Sequence, residues 1–416
     1  MSKSRKAKKQ INNILIIDDD PVMQKQLTHM LAELGYFCST CFTSAAAALI
    51  VYHSPNDRPE MILLDINMPG VDGLEFMRHL AGQHYSGGLI LVGGEDNRTL
   101  YAAERLARQY RLSITGSLCK PFALADLSTL LKKYTSMETK VPQSISKIYD
   151  ADAVRDAIYK GQLVNYYQPK VAINKSRTVG VEALVRWQHP EDGLVSPDKF
   201  IPVAEANDLI NALTRVVIKS ALIQAKAWQE SGLVLCTSVN ITMNDLSNYA
   251  FADFLISETA AVGISPESLV LEVTESQMMQ NLAAVLDTVV RLKMNRFRFS
   301  IDDFGTGYTS FVQLRDIPFD ELKIDRSSIH RAMYSPRLCA IFESTLQLCN
   351  QLGLDVVAEG VEDIDDWNFL CAANYALSVQ GYFIAHPMPA ADVFDWIQDW
   401  QACAHDRYAI KGRQVT

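Results

Sequence analysis

Carboxylates recur where short apolar runs end. Asp18, Asp19 and Asp20 follow the run 14–17, Asp65 follows the run 61–64, and Lys120 precedes Pro121 after a later short segment. Asp18, Asp19 and Asp65 at one sheet edge would repel one another, so a divalent cation such as Mg2+ is their natural neutraliser. A cation there would orient a phosphoryl donor toward a carboxylate oxygen, and Lys120 could pair with the resulting charge. Asp20, directly ahead of Pro21, reads as a helix cap.

A larger set lies further along. In VEALVRW, Glu182 and Arg186 oppose Val181, Ala183 and Val185 by the period of two. Glu272 opposes Leu271 and Val273 in LVLEVTE, and Lys323 opposes Leu322 and Ile324 in ELKID. Asn240 ends SVN, Asp302 and Asp303 end FRFSI, Glu359 ends VVA, and Gln380 opens the apparent strand QGYFI. Five carboxylates with one Asn and no His or Cys cluster specify hard, oxygen-seeking ions, Mg2+ or Mn2+ rather than zinc. Two such ions about 3.5–4 Å apart can share a bridging carboxylate and a hydroxide. Neighbours on a strand diverge, so one of Asp302 and Asp303 suits the bridge and the other the second ion alone.

Elements of two kinds must position these groups. Up to residue 135, buried-type apolar runs near 14–17, 61–64 and 89–92 alternate with helical stripes such as Met23, Leu27, Met30, Leu31 and Leu34. This predicts a small doubly wound α/β domain, flavodoxin-like, with its site at the C-terminal strand edge. Residues 136–150 are polar and aperiodic and read as a linker. The span 151–400 suits a TIM-like (β/α)8 barrel of roughly 250 residues. Its strands are expected near 165–170, 179–187, 235–241, 269–275, 296–302, 321–325, 354–359 and 379–384. Only a turn-rich stretch separates the first two, which predicts one antiparallel strand. Residues 1–13 read as a basic, disordered tail and 401–416 as a patternless one.

These motifs carry two resemblances. IIDDDP at 16–21, LLDINMPGVDG at 63–73 and CKPF at 119–122 resemble the receiver domain of bacterial response regulators. The resemblance implies phosphorylation at Asp65, Mg2+ on Asp18, Asp19 and Asp65, Lys120 as phosphate partner, and a sensor histidine kinase or phosphotransfer protein as donor. Two positions depart from the pattern. Gly93 stands where receivers usually have Thr or Ser, and Ser117 where an aromatic is frequent. The alternative for this domain is a dimerisation or docking module.

VEALVRW, VNIT, LEVTES, IDDFGTGYTS, ELKIDRS, VVAEGVE and QGYFIAHPMP, in order over about 160–390, resemble the EAL family of cyclic di-GMP phosphodiesterases. The resemblance implies hydrolysis of cyclic di-GMP to linear pGpG by two Mg2+ or Mn2+ ions. Glu182, Asn240, Glu272 and Asp302 would hold the first ion, and Asp302, Asp303 and Glu359 the second. Lys323 would position the attacking water. Gln168, Arg186 and Gln380 would contact substrate, with Gln380 and Glu362 also supporting the site. Glu275 would anchor the loop 304–310, which in the family lies near a dimer interface, so a homo-oligomer is expected. The alternatives are a non-catalytic cyclic di-GMP sensor and an adaptor scaffold.

Composition excludes other classes. The net charge of −9 argues against broad nucleic-acid binding. No run of about 18 apolar residues exists, and the basic N-terminus precedes no signal-peptide core, so the chain reads as cytoplasmic without a membrane span. The eight cysteines are irregularly spaced and read as reduced thiols, and the Cys38/Cys41 pair lacks the second pair a zinc site needs.

Overall fold

The computed structural model describes residues 11, 13–51, 58–94, 97–140, 149–174, 177–274, 282–305, 311–373 and 375–407. The chain divides into two compact units, Met1–Lys147 and Ile148–Thr416.

The first unit is built on five parallel strands: β1 (Ile14–Ile17), β2 (Ser39–Phe42), β3 (Met61–Asp65), β4 (Gly88–Gly93) and β5 (Ser113–Cys119). Their spatial order is β2-β1-β3-β4-β5, the doubly wound arrangement expected. β1, β3 and β4 are buried throughout because helices cover both faces, which is why they read as unbroken apolar runs. The helix Pro21–Glu33 starts at an Asp20 cap and buries Leu27 and Leu31. The helix Leu124–Lys140 runs past residue 135 into the stretch read as linker. KKYTSMETK contains no Gly or Pro, so nothing in it breaks the helix.

The second unit is a closed barrel. β6 (Leu163–Ala172), β7 (Arg177–His189), β9 (Cys236–Ile241), β10 (Leu269–Thr274), β11 (Arg298–Phe304), β12 (Glu321–Ile324), β13 (Asp355–Ala358) and β14 (Ser378–Val379) form its wall. Short strands β8 (Gly193–Val195) and β15 (Met388–Pro389) add to β7 and β6. β6 is antiparallel to both neighbours, β7 and β14, and the remaining wall strands run parallel. That is the barrel with one antiparallel strand.

Two local expectations differ. The last wall strand ends at Val379, so Gln380 follows it instead of opening a strand over 379–384. At Gly381 the chain passes directly over Val361, and an added Cβ there would sit 2.2 Å from the Val361 carbonyl oxygen. Residues 381–384 then turn, with the amides of Ile384 and Ala385 both bonding the Gly381 carbonyl at 3.0 Å. The closing helix, Ala390–Arg407, also continues beyond residue 400, through a stretch without a helix breaker.

Outward-facing wall residues such as Val181, Val239, Leu271, Phe299, Leu322 and Ala358 join the main apolar core beneath the helices. The alternate positions point into the barrel and are largely polar. Among them are Gln168, Glu182, Ser238, Glu272, Ser300, Asp302 and Lys323, all buried.

Candidate functional site

In the first unit, Asp18 follows β1, Asp65 ends β3, and Lys120 follows β5, so topology brings all three to one edge. Oxygens of Asp18, Asp19 and Asp65 lie within 4.8 Å of one another. Lys120 Nζ donates to Asp18 Oδ2 at 2.8 Å and to Asp65 Oδ2 at 2.5 Å. Burial pushes the Asp18 carboxyl up, against the pull of Lys120. Asp20 stands apart and caps its helix through Val22 N at 2.9 Å. Gly93 ends β4 with its flank already filled: an added Cβ would meet Leu100 Cδ2 at 3.0 Å and Ile66 Cγ1 at 3.1 Å. Ser117 lies on β5, half-buried. Cys38 and Cys41 are exposed free thiols.

The second unit gathers its polar residues at the C-terminal end of the parallel strands, where barrels of this architecture keep chemistry. At the centre stands Lys323, 1% exposed. Its Nζ lies 2.7 Å from Glu272 Oε2, 2.7 Å from Glu359 Oε1, 3.1 Å from Asp302 Oδ1 and 3.6 Å from Glu182 Oε2. Four carboxylates, three on strands and Glu359 directly after β13, converge onto one ammonium. Mutual repulsion at this density requires a central cation, and removing one partner of such a buried set costs about 3–5 kcal/mol.

The register explains the convergence. Glu182 pairs with Gln168 across the antiparallel β6–β7 ladder, and Asn240 with Glu272 across β9–β10. Asn240 Nδ2 donates to Glu182 Oε1 at 2.8 Å. Gln380 Nε2 donates to Glu182 Oε2 at 2.6 Å and to Gln168 Oε1 at 2.9 Å. Asp302 and Asp303 are consecutive, and strand alternation alone would point them to opposite faces. A register shift between Ile301 and Phe304, with Asp303 at φ +57°, turns the second acid back. One oxygen each from Asp302, Asp303 and Glu359 then lies within 4.8 Å of the others.

The electrostatics divide these acids. Burial, the largest influence, pushes Glu359 well above the usual carboxylate range and raises Glu182, in both cases against the pull of Lys323. Burial acts on Glu272 in the same sense, but Lys170 and Lys323 together outweigh it and hold its carboxyl down to about 2. The carboxylates hold Lys323 well above its ordinary value despite the opposing effect of burial.

A pocket of about 350 Å3 opens over these groups, lined by Gln168, Glu182, Asp302, Lys323, Glu359 and Gln380, among others. Glu362 also lines it, and its Oε2 accepts from Arg326 Nη2 at 2.5 Å. Arg186 is not among the lining residues. Its Nη1 donates to the Val185 carbonyl at 2.8 Å, and its guanidinium carbon is 5.8 Å from the Tyr166 ring centroid. Glu275 and residues 306–310 of the loop after Asp303 lie outside the described residues.

The sequence reading missed two residues here. Lys170 enters the interior two residues after Gln168 on β6, a signal available from strand periodicity. Tyr382 lines the pocket with its ring 4.2 Å from that of His386, a placement that depends on the turn after Gly381.

A barrel whose C-terminal end holds clustered carboxylates and amides around one lysine defines the class. An EAL domain family profile matches residues 151–387, more than half of the chain, and a response regulator receiver domain profile matches residues 14–132. The chain belongs to the EAL domain family and carries a receiver domain ahead of its barrel. It is 28% identical to the cyclic di-GMP phosphodiesterase RocR of Pseudomonas aeruginosa over 92% of this chain and 98% of that one. It is 35% identical to MucR of the same organism, a bifunctional diguanylate cyclase/cyclic di-GMP phosphodiesterase, over 62% of this chain but only 37% of MucR. The structure of the PaMucR phosphodiesterase in its c-di-GMP complex superposes with a TM-score of 0.55 at 36% identity, covering 58% of this chain and 98% of that one. No helix among the described residues is long and apolar enough to cross a membrane.

Proposed function

We propose that the barrel hydrolyses one phosphodiester bond of cyclic di-GMP, giving linear pGpG, with two divalent ions, Mg2+ or Mn2+. The observation that carries this reading is the convergence of Glu182, Glu272, Asp302 and Glu359 on Lys323 at the chemistry-bearing end of the barrel. The donor set fits hard cations. Asp302, Asp303 and Glu359 offer three oxygens within 4.8 Å, and the buried Gln380 Oε1 has no hydrogen-bond partner among the described residues.

Glu182, Asn240, Glu272 and Asp302 would hold one ion, and Asp302, Asp303 and Glu359 the other. When bound, such ions lower the pKa of a water and neutralise charge on the phosphate. The protein's own groups do the rest. Lys323 keeps the acids together against their repulsion and would position the attacking water. Gln380 is tied to Glu182 and to Gln168, and Gln168 Nε2 donates to the Ala385 carbonyl at 2.9 Å, which presents the two amides as a rigid pair toward the substrate. Arg186 would contact the substrate. Glu362 supports the wall, its backbone amide bonded to Asp366 Oδ2 at 3.3 Å. Asp302→Asn removes the acid common to both ions. The expected result is a folded protein with hydrolysis down by at least about a thousandfold. Turnover close to wild type would sink the assigned centre, and retained nucleotide affinity without turnover in the wild type would indicate a sensor.

For the first unit we infer phosphorylation at Asp65 with Mg2+ on Asp18, Asp19 and Asp65, Lys120 as phosphate partner and a histidine kinase or phosphotransfer protein as donor. Its support is the Asp18–Lys120–Asp65 contact network.

A further inference from the structure

Lys170 lies beneath the carboxylate cluster, on the antiparallel strand β6. Because β6 runs against its neighbours, moving from Gln168 to Lys170 leads away from the catalytic end and into the barrel. The side chain is 4% exposed. Its Nζ donates to Ser238 Oγ on β9 at 2.7 Å and to Glu272 Oε1 on β10 at 2.6 Å, and lies 3.4 Å from Glu321 Oε1 on β12. Glu272 is fully buried, and its two oxygens are divided: Oε1 faces Lys170 and Oε2 faces Lys323 at 2.7 Å.

This division has a geometric consequence. A carboxylate held at one oxygen can still swing about its side-chain torsions. Held at both, by cations on opposite sides, it has one orientation. Lys323 cannot impose that orientation alone, because it serves four acids. Lys170 serves two, and Glu272 is the nearer.

We propose that Lys170 is a positioning residue for the hydrolytic centre: by binding Oε1 of Glu272 from below, it turns Oε2 toward the catalytic end of the barrel. The proposal rests on the metal-dependent reading above, in which Glu272 is a ligand. Groups that orient metal ligands in this way typically influence affinity by about 10–100-fold. A purely structural ion pair would instead alter overall stability and leave both metal sites alike.

The test is Mn2+ binding to the full-length protein without substrate, followed by electron paramagnetic resonance, alongside kcat and KM with cyclic di-GMP. Lys170→Met is measured in the wild-type and Glu272→Gln backgrounds. In the wild-type background, one of two Mn2+ sites should weaken by at least about tenfold and kcat should fall, with KM within about twofold. In the Glu272→Gln background, Lys170→Met should change Mn2+ binding no further. Should Lys170→Met not fold, Lys170→Gln, which keeps a shorter neutral donor, is read by the same criteria. Unchanged Mn2+ binding in the folded variant, or an equal loss in both backgrounds, overturns the role of Lys170. Failure of the wild type itself to bind Mn2+ overturns the metal reading instead, and this proposal with it.

Discussion

Glu272 and Glu359 are both glutamates at the heart of one site, yet their surroundings drive them apart. Glu272 has a lysine on each side and is held down to about 2, against 4.5 for an unperturbed glutamate. Burial carries Glu359 well upward, against the pull of Lys323. Between pH 4.5 and about 2, the folded chain therefore binds fewer protons at Glu272 than the unfolded chain does. The stability due to Glu272 is complete above its unfolded value and is lost as pH falls through its folded one. Each proton of difference corresponds to about 1.4 kcal/mol per pH unit. Glu272→Gln should accordingly flatten the acid side of the stability profile, measured as urea unfolding free energy from about pH 5 to about pH 3. A profile as steep as the wild type's would show that Glu272 is not held ionised by its lysines.

At the scale of elements, two irregularities place the chemistry. One is the register shift in β11 that brings Asp303 back beside Asp302 and Glu359. The other is the crossing of Gly381 over Val361 directly after β14. The Val361 amide bonds the Gln380 carbonyl at 3.1 Å, and the Phe383 amide bonds the Val361 carbonyl at 2.9 Å, so this crossing fixes where Gln380 points. A methyl group at residue 381 would lie 2.2 Å from one Val361 backbone atom and 2.3 Å from another. Gly381→Ala should destabilise the barrel by about 3 kcal/mol and lower hydrolysis by at least about tenfold, read from denaturant midpoints and from kcat/KM. Wild-type values in both assays would mean that the crossing is not needed to seat Gln380.

For the whole molecule, the question is whether the receiver's chemistry reaches the barrel's. Each unit has its own apolar cores, and Asp18, Asp19, Asp65 and Lys120 lie together at one edge of the first. What differs is the switch end of the receiver: Gly93 has no hydroxyl to offer a phosphoryl group, and Leu100 and Ile66 occupy the space beside it. Beryllofluoride, a phosphoryl mimic, is expected to change cyclic di-GMP hydrolysis by the full-length protein and to leave Asp65→Asn unaffected. Equal rates with and without the mimic would remove phosphorylation as a control and favour the docking role.

Much of this was legible in the residues alone. Alternation along a strand is a property of the backbone, so the inward placement of Glu182, Glu272 and Lys323 follows from their neighbours' apolarity. The acids at the ends of β1 and β3 likewise follow from where the apolar runs stop. The antiparallel β6 was readable because its connection to β7 is too short for a crossover. Other features depend on contacts between distant segments. The return of Asp303, the displacement of Gln380 beyond its strand and the reach of Lys170 to Glu272, 102 positions away, are set by register shifts, backbone crossing and barrel closure. Sequence by itself therefore determined which groups face inward and the class of chemistry they support. Only the tertiary structure decided which oxygen faces which cation, because those distances arise between strands that no local pattern connects.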